Sequence, residues 1–162
     1  MECCDKMLHR IFLGLGSNLG DKEKNINDAY AKIEERIGKI VSKSAFYVTS
    51  PEGFASENWF INTVCEVASD LSVNNIFAIT QTIERQLGRT EKSDNGNYAD
   101  RQIDIDILMI DDLIIDSPEL TVPHPRMHLR EFVLVPFSEI APQMLHPILK
   151  QTIGELLEKL HG

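Results

Sequence analysis

Asp104 and Asp106 stand two residues apart in the stretch Arg101-Gln102-Ile103-Asp104-Ile105-Asp106-Ile107-Leu108. Isoleucines at every second position and the excess of β-branched residues read as a β-strand. In a strand, residues i and i+2 point to one face, so the two carboxylates project side by side. Carboxylates that close repel each other and hold a shared cation well. Hard oxygen ligands suit Mg²⁺, which takes one or two carboxylates and completes its shell with substrate phosphates. Arg101 can bind a phosphate oxygen in bidentate fashion. An Asp-x-Asp pair taken alone also fits a strand with a solvated acidic face, so its neighbours decide between the two.

Three further stretches carry residue types that suit a nucleotide triphosphate: Glu84 to Arg89, Thr121 to His124, and Arg126 to Phe132. Arg89, Arg101 and Arg130 offer cations to offset triphosphate charge. His124 lies between Pro123 and Pro125 on stiff backbone, which suits a positioned donor to phosphate as well as a structural turn.

The elements that position these residues follow from periodicity and punctuation. Met1 to His9 reads as an unstructured lead, and Arg10 to Leu15 as a first strand. Gly16 to Asp21 then reads as a tight strand-to-helix turn that glycine permits. The Gly14-x-Gly16 pattern lacks the third glycine of a dinucleotide loop and the Gly-Lys-Ser/Thr of a P-loop. Asp21 caps a helix to about Ile37, whose Ile26, Ala29, Tyr30 and Ile33 share a face, and Gly38 stops it. Ile40 to Val48 reads as a strand, Thr49 to Ser56 as a loop, and Trp59 to Val67 as a third strand. Ser72 caps a second helix, Val73 to Leu87. The polar stretch Arg89 to Asp100 is long for a connection, and such loops are usually functional. It has almost nothing apolar to bury, which predicts mobility, and its tether between Arg89 and Arg101, both suited to phosphate, predicts that it closes as a lid over bound substrates. A fourth strand spans Ile103 to Ile110. Asp111-Asp112 turns the chain, and Leu113 to Ile115 returns as its hairpin partner. Pro125 opens a short helix, Val133 to Ile140 is apolar core, and Thr152 with Glu155 forms a capping box for a last helix. The order β-α-β-β-α-β predicts a ferredoxin-like α+β fold: an antiparallel sheet with helices on one face and later segments over part of the other.

With 162 residues the chain reads as one domain. A net charge of −9 argues against a nucleic-acid surface. Cys3, Cys4 and Cys65 form neither a disulfide framework nor a spaced zinc site, which points to a reducing cytoplasm. No signal peptide or membrane span is seen.

Several of these stretches occur together in one known family. G-x-G-S-N-L-G, F-Y-x-T-x-P, the F-x-N strand, I-E-R-Q-L-G-R, R-x-x-D-x-D-I-L and T-V-P-H-P-R-M-x-x-R-x-F appear here in that order. From about Arg10 to Pro147 the chain resembles the 6-hydroxymethyl-7,8-dihydropterin pyrophosphokinases of folate biosynthesis. The resemblance implies pyrophosphoryl transfer from ATP to the pterin hydroxymethyl group, with release of AMP. It implies that Asp104 and Asp106 bind two Mg²⁺ ions and that Arg89 and Arg101 act with them in catalysis. Arg89, Arg101, His124 and Arg130 would contact phosphates, while Gln81, Ile107, Leu120 and Thr121 would line the nucleotide side. Phe60 and Phe132 would sandwich the pterin ring, Asn62 would read its edge, and Thr49 and Asp104 would complete that pocket. The chain departs from the family pattern after Arg89, where Thr90 and Glu91 stand in place of a second arginine. A monomer acting on small molecules is expected, with no fused folate-pathway enzyme. The rival readings are a metal-dependent phosphoryl or nucleotidyl transferase with another acceptor, and a non-catalytic ligand-binding module of the same fold.

Overall fold

A computed structural model of the chain describes residues 8–49, 59–88 and 102–162. Most of the expected loop from Thr49 to Ser56 and the whole expected lid from Arg89 to Asp100 lie outside the described residues. Twelve elements follow in order: β1 (His9–Ser17), α1 (Lys22–Arg36), β2 (Lys39–Lys43), β3 (Tyr47–Thr49), β4 (Phe60–Ser69), α2 (Val73–Gln86), β5 (Asp104–Ile110), β6 (Ile115–Asp116), β7 (Thr121–Val122), a 3₁₀ turn (Met127–Leu129), α3 (Glu131–Ile140) and α4 (Ile153–His161). The main sheet is antiparallel in the order β2-β4-β1-β5, with β3 also on β4. This is the ferredoxin-like arrangement, with the two βαβ halves interleaved around β1 and β4.

Alternation along the strands divides the molecule into two cores. Ile11, Leu13 and Leu15 of β1 join Cys65 and Val67 of β4 and Ile105 and Ile107 of β5 beneath α1 and α2. Phe12, Val64 and Leu108 face the other way and pack with Val133, Leu134 and Phe137 of α3 and with Leu156 of α4. Phe12 and Phe137 stack at 4.6 Å between centroids. The apolar run from Val133 is therefore a helix that covers the second face. Both main helices start where the sequence places them: Asp21 accepts from Lys24 N–H and Ser72 from Asn75 N–H. Thr152 and Glu155 form the reciprocal capping box.

Four local readings change. The first strand runs on through Gly16 and Ser17, and the turn comes later, at Gly20 with φ +68. The lead ends sooner than expected, since His9 already pairs with Ser69. The expected strand Ile40 to Val48 is broken in two at Ser44. There the serine hydroxyl accepts Val64 N–H and contacts Thr63 Oγ1, which in turn meets Tyr30 Oη; a side chain replaces a rung of the ladder. Finally, β6 pairs with β7 and not with β5. The outer edge of β5 is taken instead by other partners: His124 N–H donates to Leu108 O and Glu84 reaches Ile105 N–H.

Gly38 ends α1 for a reason other than a left-handed cap. A Cβ there would lie 2.0 Å from the Ala68 carbonyl oxygen, so the chain crosses β4 at backbone distance. Gly38→Ala should therefore destabilise the protein by ~1–3 kcal/mol, as overpacked sites do. Urea unfolding of the variant measures this; an unchanged midpoint would show that the α1–β2 connection can move aside.

Candidate active site

Paired residues on antiparallel strands share a face, so the register locates the site without reference to any ligand. Tyr47 of β3 pairs with Asn62 of β4, Asn62 with Gly16 of β1, and Gly16 with Asp104 of β5. These four make one row across the sheet on the α3 side. Val64, Gly14 and Asp106 make the next row. Thr49 and Phe60 pair beside the first row, at the end where β3 stops and β4 begins. The carboxylates, Phe60, Asn62 and Thr49 are thus brought to one end of one face. With strands about 4.8 Å apart, Asn62 and Asp104 face each other across the single glycine strand position between them.

The carboxylate end carries a third acid. Glu84, on the last turn of α2, is buried and accepts Ile105 N–H at 2.6 Å. Ile105 lies between the two aspartates, so Glu84 fixes the backbone that aims them. Burial first, then the negative charge of Asp104, pushes the Glu84 carboxyl up to about 8. Asp106 pushes in the same direction. Such crowding of negative charge in a partly desolvated place suits a divalent cation. Among the described residues no group of three or more His, Cys, Asp or Glu side chains is placed to hold a metal alone. Two aspartates whose ion completes its shell on substrate oxygens fit Mg²⁺ and do not fit a closed protein cage. In the sequence Glu84 stands out only as the start of the Glu84 to Arg89 stretch, with no role of its own. A glutamate near a helix end reads as a solvated charge, and only the i+4 spacing from Thr80 on the buried face hints otherwise.

The basic and nucleotide-side residues flank the outer edge of β5. His124 is tied to Leu108 O through its own N–H, and its Nδ1 accepts Arg126 N–H at 3.2 Å. The neutral ring then carries its proton on Nε2, free to donate to a phosphate oxygen. Arg130 ends the 3₁₀ turn and caps α3, with its guanidinium 5.4 Å above the Phe132 ring. Leu120 and Ile107 pack in the first core and Thr121 opens β7, while Gln81 is exposed on α2. Ile107 points away from the aspartate face, so its side chain belongs to the helix side of the sheet. Arg89 and Arg101 lie outside the described residues; the residues next to them, Gly88 and Gln102, are in contact.

Burial, and then Arg130, holds His124 below its ordinary value of 6.5, and burial lowers His146 likewise. The unfolded chain takes up these protons more readily than the folded one, so stability falls as pH drops through the ordinary histidine range. His124→Asn keeps an acceptor for Arg126 N–H but removes the titration. Its unfolding free energy should fall less than wild type between about pH 7.5 and about pH 5.5; equal slopes in denaturant titrations would contradict this.

On the opposite side, Asn62 donates through Nδ2 to Thr49 Oγ1 at 2.8 Å. Phe132, in the first turn of α3, packs against the second core. Glu139, at the far end of the same helix, accepts Ala45 N–H with both oxygens and the Tyr47 hydroxyl. One helix therefore carries an aromatic wall at its start and a tie to β3 at its end. Tyr47 stands out in the sequence only as part of F-Y-x-T-x-P and Glu139 not at all, since no spacing links residues 92 apart in the chain.

A βαββαβ sheet with extra helices on its second face places the chain in the ferredoxin-like α+β class. Residues 12–142 match the 7,8-dihydro-6-hydroxymethylpterin-pyrophosphokinase (HPPK) family, and the chain belongs to that family. A 2-amino-4-hydroxy-6-hydroxymethyldihydropteridine pyrophosphokinase of Porphyromonas gingivalis is 47% identical over 138 residues, which covers 85% of this chain and 93% of that protein. The Bacillus subtilis protein of the same name is 37% identical over 82% of this chain and 78% of its own length. Wild-type HPPK-DHPS of Plasmodium falciparum has the same fold, with a TM-score of 0.74 at 16% identity over 94% of this chain. The chain spans only 44% of that solved chain.

Proposed function

We propose that the Asn62–Gly16–Asp104 row is where the acceptor and the metal-bound end of ATP meet in a pyrophosphokinase reaction. The reaction is transfer of pyrophosphate from ATP to 6-hydroxymethyl-7,8-dihydropterin, a step of folate synthesis. The observation that carries this reading is the register: it sets a neutral amide and a carboxylate pair on one face, with a single strand between them that bears glycine there in place of a side chain. Asn62, Phe60, Thr49 and Phe132 bind the flat ring, the aromatics by stacking and the amide by donor–acceptor matching. Asp104 and Asp106 would hold two Mg²⁺ ions; when bound, these neutralise triphosphate charge and favour attack on phosphorus. His124 donates from Nε2 to phosphate, and Arg130 supplies positive charge beside it; Arg89 and Arg101 are assigned the same task by motif. Glu84 holds the aspartate strand in place. Orientation does most of the work, bringing the pterin hydroxyl oxygen in line with the β-phosphorus as the bond to the α-side bridging oxygen breaks and AMP leaves. The free, buried thiol of Cys65 supports a cytoplasmic setting, and no helix among the described residues is long and apolar enough to cross a membrane.

The test is product analysis. With ATP, Mg²⁺ and the reduced hydroxymethylpterin, AMP should appear one for one with pterin diphosphate and only when pterin is present. ADP as the nucleotide product would show transfer of a single phosphoryl group, and would support the rival transferase reading.

A further inference from the structure

Two glycines occupy alternate positions in the central strand β1, at Gly14 and Gly16, where the chain should favour larger residues. Glycine in a strand interior weakens it and often marks a place where something approaches the backbone closely. The two positions have different surroundings. The nearest neighbours of a Cβ on Gly14 would be atoms of the Leu108 side chain, at 3.4 to 3.6 Å, which is ordinary packing contact. The strand pairing slips between Phe12 and Leu13, and both Leu108 and Met109 join the second core. Gly14 is accounted for by the fit of Leu108.

Gly16 is not accounted for in that way. A Cβ there would lie 3.0 Å from Asn62 Oδ1, 3.7 Å from Phe60 Cδ1 and 3.8 Å from the Ile61 carbonyl oxygen. The Asn62 amide therefore leans over Gly16, with Nδ2 held by Thr49 and Oδ1 directed along the row toward β5. The Phe60 ring edge settles over the same spot. We propose that Gly16 is a positioning residue for the acceptor: its missing side chain lets the Asn62 amide and the Phe60 ring lie down on the sheet and leaves the floor between Asn62 and Asp104 at backbone height. A flat heterocycle read by Asn62 can then extend its reactive arm toward the carboxylates without crossing a side chain. This rests on the pterin-site reading above. It also gives the G-S-N-L-G stretch a role in the acceptor pocket, where its spacing fits neither phosphate loop.

The test is Gly16→Ala, read by pterin fluorescence titration, by binding of Mg²⁺ with a non-transferable ATP analogue, and by thermal unfolding. The contacts at risk are ends of side chains, and alanine suits a strand better than glycine. The melting temperature should hold or rise. Pterin binding should weaken about tenfold or more, the scale of one lost hydrogen bond to the base, while the ATP analogue binds as in wild type. Because Gly16 acts through Asn62, Gly16→Ala should weaken pterin binding less in an Asn62→Ala background than alone. Normal pterin binding by Gly16→Ala, with Asn62→Ala impaired, would overturn the role of Gly16 and leave the pterin site standing. Normal binding by both variants would overturn the site and the inference together. Loss of both ligands with a lowered melting temperature, or failure to fold, would make Gly16 a packing residue and overturn the inference.

Discussion

Asp104→Asn and Asp106→Asn should each lower kcat by on the order of 10²–10³-fold or more, the range found when one preorganised charge-stabilising group is removed, while the folded state loses no stability. Asparagine has the size of aspartate, so β5 keeps its packing, with Ile105 and Ile107 still in the first core. What changes is charge. Glu84 is buried against this strand and is pushed up to about 8 chiefly by its burial, with Asp104 and Asp106 adding to the shift. Removing one aspartate charge relieves the repulsion between the paired carboxylates of Asp104 and Asp106, so the unfolding midpoint should hold or rise in metal-free buffer. Catalysis should suffer for the same reason, because crowded negative charge is what a divalent ion answers. AMP release at saturating Mg²⁺ and ATP, alongside thermal unfolding, measures both effects. Near-normal turnover in either variant would remove the aspartates from the metal site.

Asn62→Ala and Phe132→Ala should weaken pterin binding far more than ATP binding. Asn62 is buried, and its amide is oriented by Thr49, so a ligand meets it already aligned. Leaving the base edge unpaired costs about 1–3 kcal/mol, which corresponds to roughly 5- to 150-fold in affinity. Phe132 differs in that it also packs against the second core. Its truncation should lower stability by up to ~3 kcal/mol, the lower end for buried aromatics, and stability must be measured beside affinity. Isothermal titration with pterin and with a non-transferable ATP analogue separates the cases. Equal weakening of both ligands would indicate loss of the fold around α3.

The sequence made the elements plain where chemistry and periodicity agreed. Asp21, Ser72 and Thr152 are short polar residues directly before apolar-periodic runs, and each caps its helix. The Ile-Asp alternation of β5 told both that it is a strand and that its acids share a face. Other features depended on partners distant in the chain. Ser44 breaks the second strand because Val64, Thr63 and Tyr30 stand where its hydroxyl can replace a ladder bond; the alternation through Val48 carries no sign of it. Gly16 looks like a turn glycine in a Gly-x-Gly-Ser-Asn run, and only its pairing with Asn62 and Asp104 shows it to lie within a strand. Gly38 stops α1 as expected, yet what demands glycine is the Ala68 carbonyl of another strand. Glu84 is a carboxylate whose neighbours come from β5, 20 or more residues away. The acidic pair, the residues assigned to the pterin and the basic turn could be picked out because each lies in a short motif. The residues that hold them in place were not, because positioning is done across the fold.

The measurement that bears most directly on the account is paramagnetic relaxation in the complex of protein, Mn²⁺, a non-transferable ATP analogue and pterin. If the metal sits on Asp104 and Asp106 with the acceptor on Asn62, the pterin hydroxymethyl protons and the Gly16 amide should relax strongly. Both effects should disappear in Asp104→Asn/Asp106→Asn at pterin concentrations that keep the site filled. Strong relaxation that persists in that variant, or none in wild type, would show that metal and acceptor do not meet on this row of the sheet.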